Sequence, residues 1–182
     1  MGDYTAFRGK VIIKEEYKEL VCLINNGDWE EAVDKYSFLK EHYDIKRSTL
    51  IPFSKEDIQN RCNEVGELYL EADPLDWEVD NTYFTNLKGL EWTFITCVKN
   101  YADKNHNNET PIQSFIDVVI CEVVNEIIKI QEYYPEDDMP VEYKFENVVK
   151  KTNILGFFSS LFKRKPEKNA DKIKVKKIPR KS

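Results

Sequence analysis

The apolar positions change spacing along the chain, and each change marks an element. Phe7–Ile13 reads as a strand, most strongly at the β-branched Val11, Ile12 and Ile13. Tyr17, Leu20, Val21 and Ile24 then recur at i, i+3, i+4 and i+7, which predicts a helix from Lys14 to Asn26. Gly27 is placed to end it in a left-handed conformation. Asp28, with Glu31 three residues on, has capping-box spacing for a second helix striped by Trp29, Val33, Tyr36 and Leu39. The two form an αα-hairpin turning at Asn25-Asn26-Gly27.

Asp44–Phe53 reads as a connection broken by Pro52. Ser54 and Asp57 open a third helix with Ile58, Cys62, Val65 and Tyr69 on one side. Glu71–Asp80 is an acidic loop containing Pro74. Trp77–Tyr101 reads as a β-hairpin with its turn at Asn86–Gly89, Leu90, Trp92 and Phe94 facing one way and Glu91 and Thr93 the other. After the polar loop Tyr101–Glu109, Thr110 caps a helix with Pro111 in its first turn and Gln113 at the capping-box position. Ile112, Phe115, Ile116, Val119, Ile120, Val123, Val124, Ile127 and Ile128 extend that helix through the core until Pro135 stops it. Val141–Phe145 supplies an edge strand. The expected fold class is α+β. A small antiparallel sheet, built from the β-hairpin plus edge strands, packs with the N-terminal αα-hairpin and a long central helix, and a C-terminal amphipathic segment follows. No fixed-period repeat is present.

Composition sets the class. A chain of 182 residues that is 41% hydrophobic and 13% aromatic builds one domain with a real core. No apolar run reaches the length of a membrane span, and Met1–Lys10 lacks the pattern of a signal peptide, so the expected location is the cytosol. Cys22, Cys62, Cys97 and Cys121 lie far apart without a CxxC pair and read as small buried hydrophobes of a reducing compartment. A secreted disulfide scaffold, a zinc ribbon and an integral membrane protein are excluded. The net charge of −6 hides a partition. Residues 163–182 carry ten Lys or Arg against Glu167 and Asp171, a net +8, which leaves −14 on residues 1–162. The expected organisation is an acidic α+β domain over 1–150, an amphipathic helix over 151–165 and an unstructured basic tail over 166–182.

Catalytic motifs are missing from the sequence. It holds no GxGxxG, GxxxxGK[ST] or GxSxG. His42 sits in the polar helix end Glu41-His42-Tyr43-Asp44 and His106 in an Asn-rich loop, neither at metal-ligand spacing from another His or Cys. Asp73, Asp76, Glu78 and Asp80 form one acidic cluster, and Glu136, Asp137 and Asp138 another. Both lack the spacing and glycine of a calcium loop and read as solvated acidic faces. The expectation is a non-enzyme without metal or cofactor.

The C-terminal segment carries a sharper signal. On a helical wheel Ile154, Leu155, Phe157, Phe158, Leu161 and Phe162 fall within about 160° of arc. Gly156, Ser159, Ser160, Lys163 and Arg164 lie opposite, and Lys165 continues the basic run. Large apolar side chains backed by lysines suit an anionic membrane surface. The alternative is that this helix packs on the domain. No aromatic follows Phe162, so nucleic-acid binding by the tail would be unspecific. Gly2 does not make a myristoylation signal, because Ala6 stands where Ser or Thr is needed.

Two stretches carry a resemblance. Phe7-Arg8-Gly9-Lys10-Val11 with Leu23-Ile24-Asn25-Asn26-Gly27-Asp28-Trp29, and Trp92-Thr93-Phe94 with Val98-Lys99-Asn100-Tyr101, resemble small bacterial α+β proteins of the polymorphic-toxin immunity type. The resemblance spans about half the chain and implies a binding protein, with a toxin domain as its partner and no catalytic residue. An acidic body is steered toward a basic cleft. Trp77, Tyr83 and Phe84 are the interface candidates, flanked by Asp76, Glu78 and Asp80. A core role is the alternative for those three aromatics.

Overall fold

The computed structural model describes residues 4–58, 84–134, 140–145 and 175–178. The chain runs β1 (Thr5–Ile13), α1 (Lys18–Asn26), α2 (Trp29–Lys35), α3 (Lys40–Tyr43), β2 (Asn86–Lys88) and β3 (Glu91–Val98). Then come α4 (Pro111–Ser114), β4 (Val124–Tyr133), β5 (Val141–Phe145) and β6 (Val175–Lys177). The six strands form one antiparallel sheet in the order β2-β3-β1-β4-β5-β6. The fold is α+β.

The αα-hairpin forms as its sequence dictates. Gly27 adopts φ 86, its N–H reaches the Ile24 carbonyl at 3.0 Å, and the Asp28 N–H reaches the Leu23 carbonyl at 2.9 Å. This pair of bonds satisfies the last carbonyls of α1 and reverses the chain. The capping box expected at Asp28 and Glu31 is not made, since Asp28 bonds α2 only through its backbone. The box at Ser54 does form. The Ser54 Oγ accepts the Asp57 N–H at 3.0 Å while Asp57 Oδ2 accepts the Ser54 N–H at 3.2 Å. Cys62, Val65 and Tyr69 of that helix lie outside the described residues.

The long central helix is the main correction. α4 continues through a π-helical stretch, Phe115–Ile120, and a last turn, Cys121–Val123, and there the helix ends. Val124, Ile127 and Ile128 belong to β4. The cause lies in the pairing of β1 with β4. Lys10 faces Lys129 but Val11 faces Ile127, and Ile12 faces Glu126 but Ile13 faces Val124. Ile128 and Asn125 are therefore extra residues, two bulges within one strand. Each shifts the period-two alternation by one, and the sum mimics a 3.6-residue repeat. Ile128 ends 47% exposed.

Smaller departures follow from the same sheet. The hairpin turns at Gly89-Leu90, with Gly89 at φ 65, and Asn86 already pairs with Thr93. Thr93, Ile95 and Cys97 are buried as well as Trp92 and Phe94, so β3 is covered on both faces. β5 is not an edge strand, because β6 pairs along its outer side. β6 falls within the stretch expected as an unstructured tail.

The sheet centre is held by one close approach. Gly9 lies between Phe94 on β3 and Ile130 on β4, and the Phe94 ring covers it. A Cβ on Gly9 would meet Phe94 Cζ at 2.1 Å. From there the rings spread outward. Phe94 is 5.6 Å from Phe7, 5.5 Å edge-on from Phe115 and 4.9 Å from Trp92. Trp92 Nε1 donates to Asn25 Oδ1 at 2.9 Å, tying α1 to the sheet inside the core.

Gly9→Ala should therefore destabilise the protein by about 1–3 kcal/mol in urea unfolding, because the ring must leave its place. In a Phe94→Leu background the added cost should shrink toward zero. An equal cost in both backgrounds would contradict this packing.

Candidate protein-binding surface

The Gly27 reversal sets the acidic residues of α2 along one side of a groove. Asp28, Glu30, Glu31 and Asp34 line it with Asp57, over a base that includes Trp29, Tyr43 and Leu50, and its volume is about 730 Å³. Trp29, 3% exposed, and Ala32 turn into the core, which leaves the neighbouring acids on the outer side. Lys35, on the same helix, places its Nζ 2.8 Å from Glu31 of the groove and 2.9 Å from Glu19. Those two carboxylates push the Lys35 ammonium above its ordinary value.

A buried polar pair supports the base. The Trp29 ring is 5.4 Å from His42, whose ring is 5.6 Å from Phe115. His42 Nδ1 lies 3.1 Å from Ser114 Oγ. The polar helix end expected at His42 is in fact 0% exposed at that residue, because α3 packs on the central helix and turns it inward. Burial pushes its pKa down to about 3, against a weaker opposing effect from the Ser48 backbone. The imidazole is therefore neutral and structural. His106 pairs instead with Asp103 at 3.1 Å in the polar loop. Asp103 also accepts the Asn105 and Lys46 N–H groups, which hold its carboxyl below the usual range.

A second concavity, about 350 Å³, is lined by Phe38, Glu41, Glu109, Asp117, Cys121 and Glu122. Burial pushes the Glu109 carboxyl up, assisted by Asp117 and Glu41. Burial also pushes the Cys121 thiol up, with the Val175 backbone N–H acting against it. A protonated thiol among carboxylates is a poor nucleophile. Tyr17 donates its hydroxyl to Glu122, which together with burial raises the phenol. Both hollows offer carboxylates to cationic groups. Among the described residues no group of His, Cys, Asp or Glu is arranged to hold a metal ion.

The residues singled out from the sequence divide accordingly. Phe84 is half-buried against the core, and its carbonyl accepts from Thr93 Oγ1 at 2.7 Å. Trp77, Tyr83, Asp76, Glu78 and Asp80 lie outside the described residues, as do Ile154, Leu155, Phe157, Phe158, Leu161, Phe162, Lys163, Arg164 and Lys165. Cys97 is buried as expected, but Cys22 is exposed because it falls on the outer side of α1. No motif in the sequence announces the α2 groove, although its acids are interspersed with Trp29, Ala32 and Val33. Among the described residues no helix is long and apolar enough to cross a membrane.

Fold and surface together define an α+β antiparallel-sheet domain with an acidic, groove-bearing side. No family model, curated protein or solved structure matches the chain.

The neutral His42 sets a pH dependence. Unfolded, it titrates near its ordinary 6.5, and folded near 3, so between these values the unfolded chain binds the extra proton. Stability is full above about pH 6.5 and falls with acidification by up to about 1.4 kcal/mol per pH unit. His42→Gln should start less stable and lose this slope between pH 6.5 and 4.5, read from urea midpoints. A slope that persists unchanged would count against a buried neutral histidine.

Proposed function

We propose that this chain is a non-catalytic, cytoplasmic protein-binding domain whose acidic side captures a partner presenting a basic surface. The carboxylate-lined groove beside α2 carries this reading. It is reinforced by the −14 charge of residues 1–162, a field that speeds encounter with a cationic partner and disfavours nucleic acid. Tyr43 and Leu50, both part-buried at the base of the groove, give apolar contact inside a charged rim, where a tyrosine is a usual anchor of binding energy. The resemblance of the β1 and Trp92-Thr93-Phe94 stretches to immunity proteins favours a toxin domain as that partner, occluded rather than processed. Carboxylates presented to arginine or lysine need no cofactor.

A second reading rests on the sequence of 154–165, whose apolar face and following lysines suit an anionic bilayer. The two are separable. With a basic partner captured by the full chain, the association rate should fall at least about tenfold between low and high salt. Asp28→Asn with Asp34→Asn should slow association without lowering the unfolding midpoint. Phe158→Asp with Leu161→Asp should leave partner association intact. Salt-independent association would contradict the electrostatic reading, while loss of anionic-vesicle flotation by the full chain in the last variant, with partner association intact, would support the bilayer reading.

A further inference from the structure

The outer side of β5 already holds a ligand, which is this chain's own C-terminal segment. Val175, Lys176 and Lys177 pair with Phe145, Lys144 and Tyr143, and the Ile178 N–H bonds the Glu142 carbonyl at 3.0 Å. The contacts are specific. Val175 packs against the core, and its N–H reaches the Cys121 thiol. Lys177 Nζ lies 6.0 Å above the Tyr143 ring and 3.8 Å from Glu132 Oε2. Tyr143 donates its hydroxyl to that same oxygen, and the Glu132 side chain is 16% exposed. A half-sequestered carboxylate, fixed by a tyrosine and roofed by its ring, is a built receptor for a lysine.

The hold on β6 is weak by design of the same residues. Among the described residues three pairs form, Lys176 and Lys177 are exposed, and Lys176 stands directly opposite Lys144. Like charges facing across a ladder destabilise it. Residues 146–174 separate the two strands in sequence, so β6 docks as a separate segment rather than as the return of a tight hairpin. Strand addition at a sheet edge takes its affinity from the main chain and its selectivity from alternate side chains.

We propose that the β5 edge is a strand-docking site for an extended, lysine-bearing segment of a protein partner, with an apolar residue two positions before the lysine, and that Val175–Ile178 occupies it in cis as a displaceable stand-in. This rests on the reading of the chain as a binder of basic proteins and names one element that such a partner would present. The Glu132 and Tyr143 receptor selects the lysine, and the space beside Phe145 and Cys121 selects the apolar residue. Binding in trans must expel β6, so the C-terminal segment sets a threshold for the partner.

The test is fluorescence anisotropy of the full chain with a labelled peptide of residues 171–182. Val175→Asp with Ile178→Pro removes the core contact and the Ile178 backbone donor of the cis strand, and should bind the peptide at least about tenfold more tightly than wild type. Lys176→Glu, which converts the repulsion at Lys144 into attraction, should bind it more weakly than wild type. A peptide with the residue at 177 changed to glutamate should bind none of them. The proposal is overturned if the loosened chain binds no better than wild type, or if the glutamate peptide binds equally. Dimerisation of the loosened chain without peptide, read by sedimentation, would overturn it in favour of exchange between copies. No partner is needed in this assay, so its failure leaves the salt-sensitive capture at the α2 groove to stand or fall separately.

Discussion

The Phe94 ring lying on Gly9 is the contact from which the rest of the domain is arranged. A side chain on the central residue of the central strand would lift the ring away. With glycine there, the ring lies against the sheet and packs edge-on against Phe115, placing the central helix over β1 and β3. Phe115 in turn touches His42, and His42 touches Trp29, so one run of rings reaches from the sheet centre to the base of the acidic groove. In the other direction Phe7 stands 6.5 Å from Tyr143, whose outer side receives Lys177. Both proposed binding features are thus mounted on one aromatic core, which holds them rigidly without using either surface.

Charge then decides what the surfaces do. Carboxylates gathered along α2 and around Glu109 repel one another, a cost that adds to burial in raising the Glu109 carboxyl. A cationic partner relieves it. The chain relieves part of it internally through Lys35, which pairs with Glu31 and Glu19, while at the β5 edge Lys177 answers a separate carboxylate, Glu132. The Lys177 arrangement differs because it is carried by a segment remote in sequence and opposed by Lys144, which makes it exchangeable in a way that Lys35, fixed on α2, is not.

What was legible in the sequence followed from local chemistry. Gly27 ends α1, Ser54 and Asp57 form their box, and Thr110 with Pro111 opens the central helix as read, because each depends on residues within a few positions. The end of that helix was not legible. Val123, Val124, Ile127 and Ile128 satisfy a helical repeat, and only the register with β1, set more than a hundred residues away, makes Asn125 and Ile128 bulges. His42 read as polar for a similar reason, since the packing that buries it comes from Ser114 and Phe115. The β5 edge was hidden most completely. A lysine-rich tail looks unstructured by composition, and nothing local announces that Val175 and Lys177 meet Phe145 and Tyr143.

The most direct measurement is native-state hydrogen exchange of the full chain, comparing the Ile178 amide with the amides of β1. A locked centre with a displaceable edge predicts that Ile178 exchanges through a local opening far less costly than global unfolding, while the β1 amides exchange only with global unfolding. If Ile178 is protected as strongly as β1, the edge strand is a permanent part of the sheet, and the account of an exchangeable docking site is wrong.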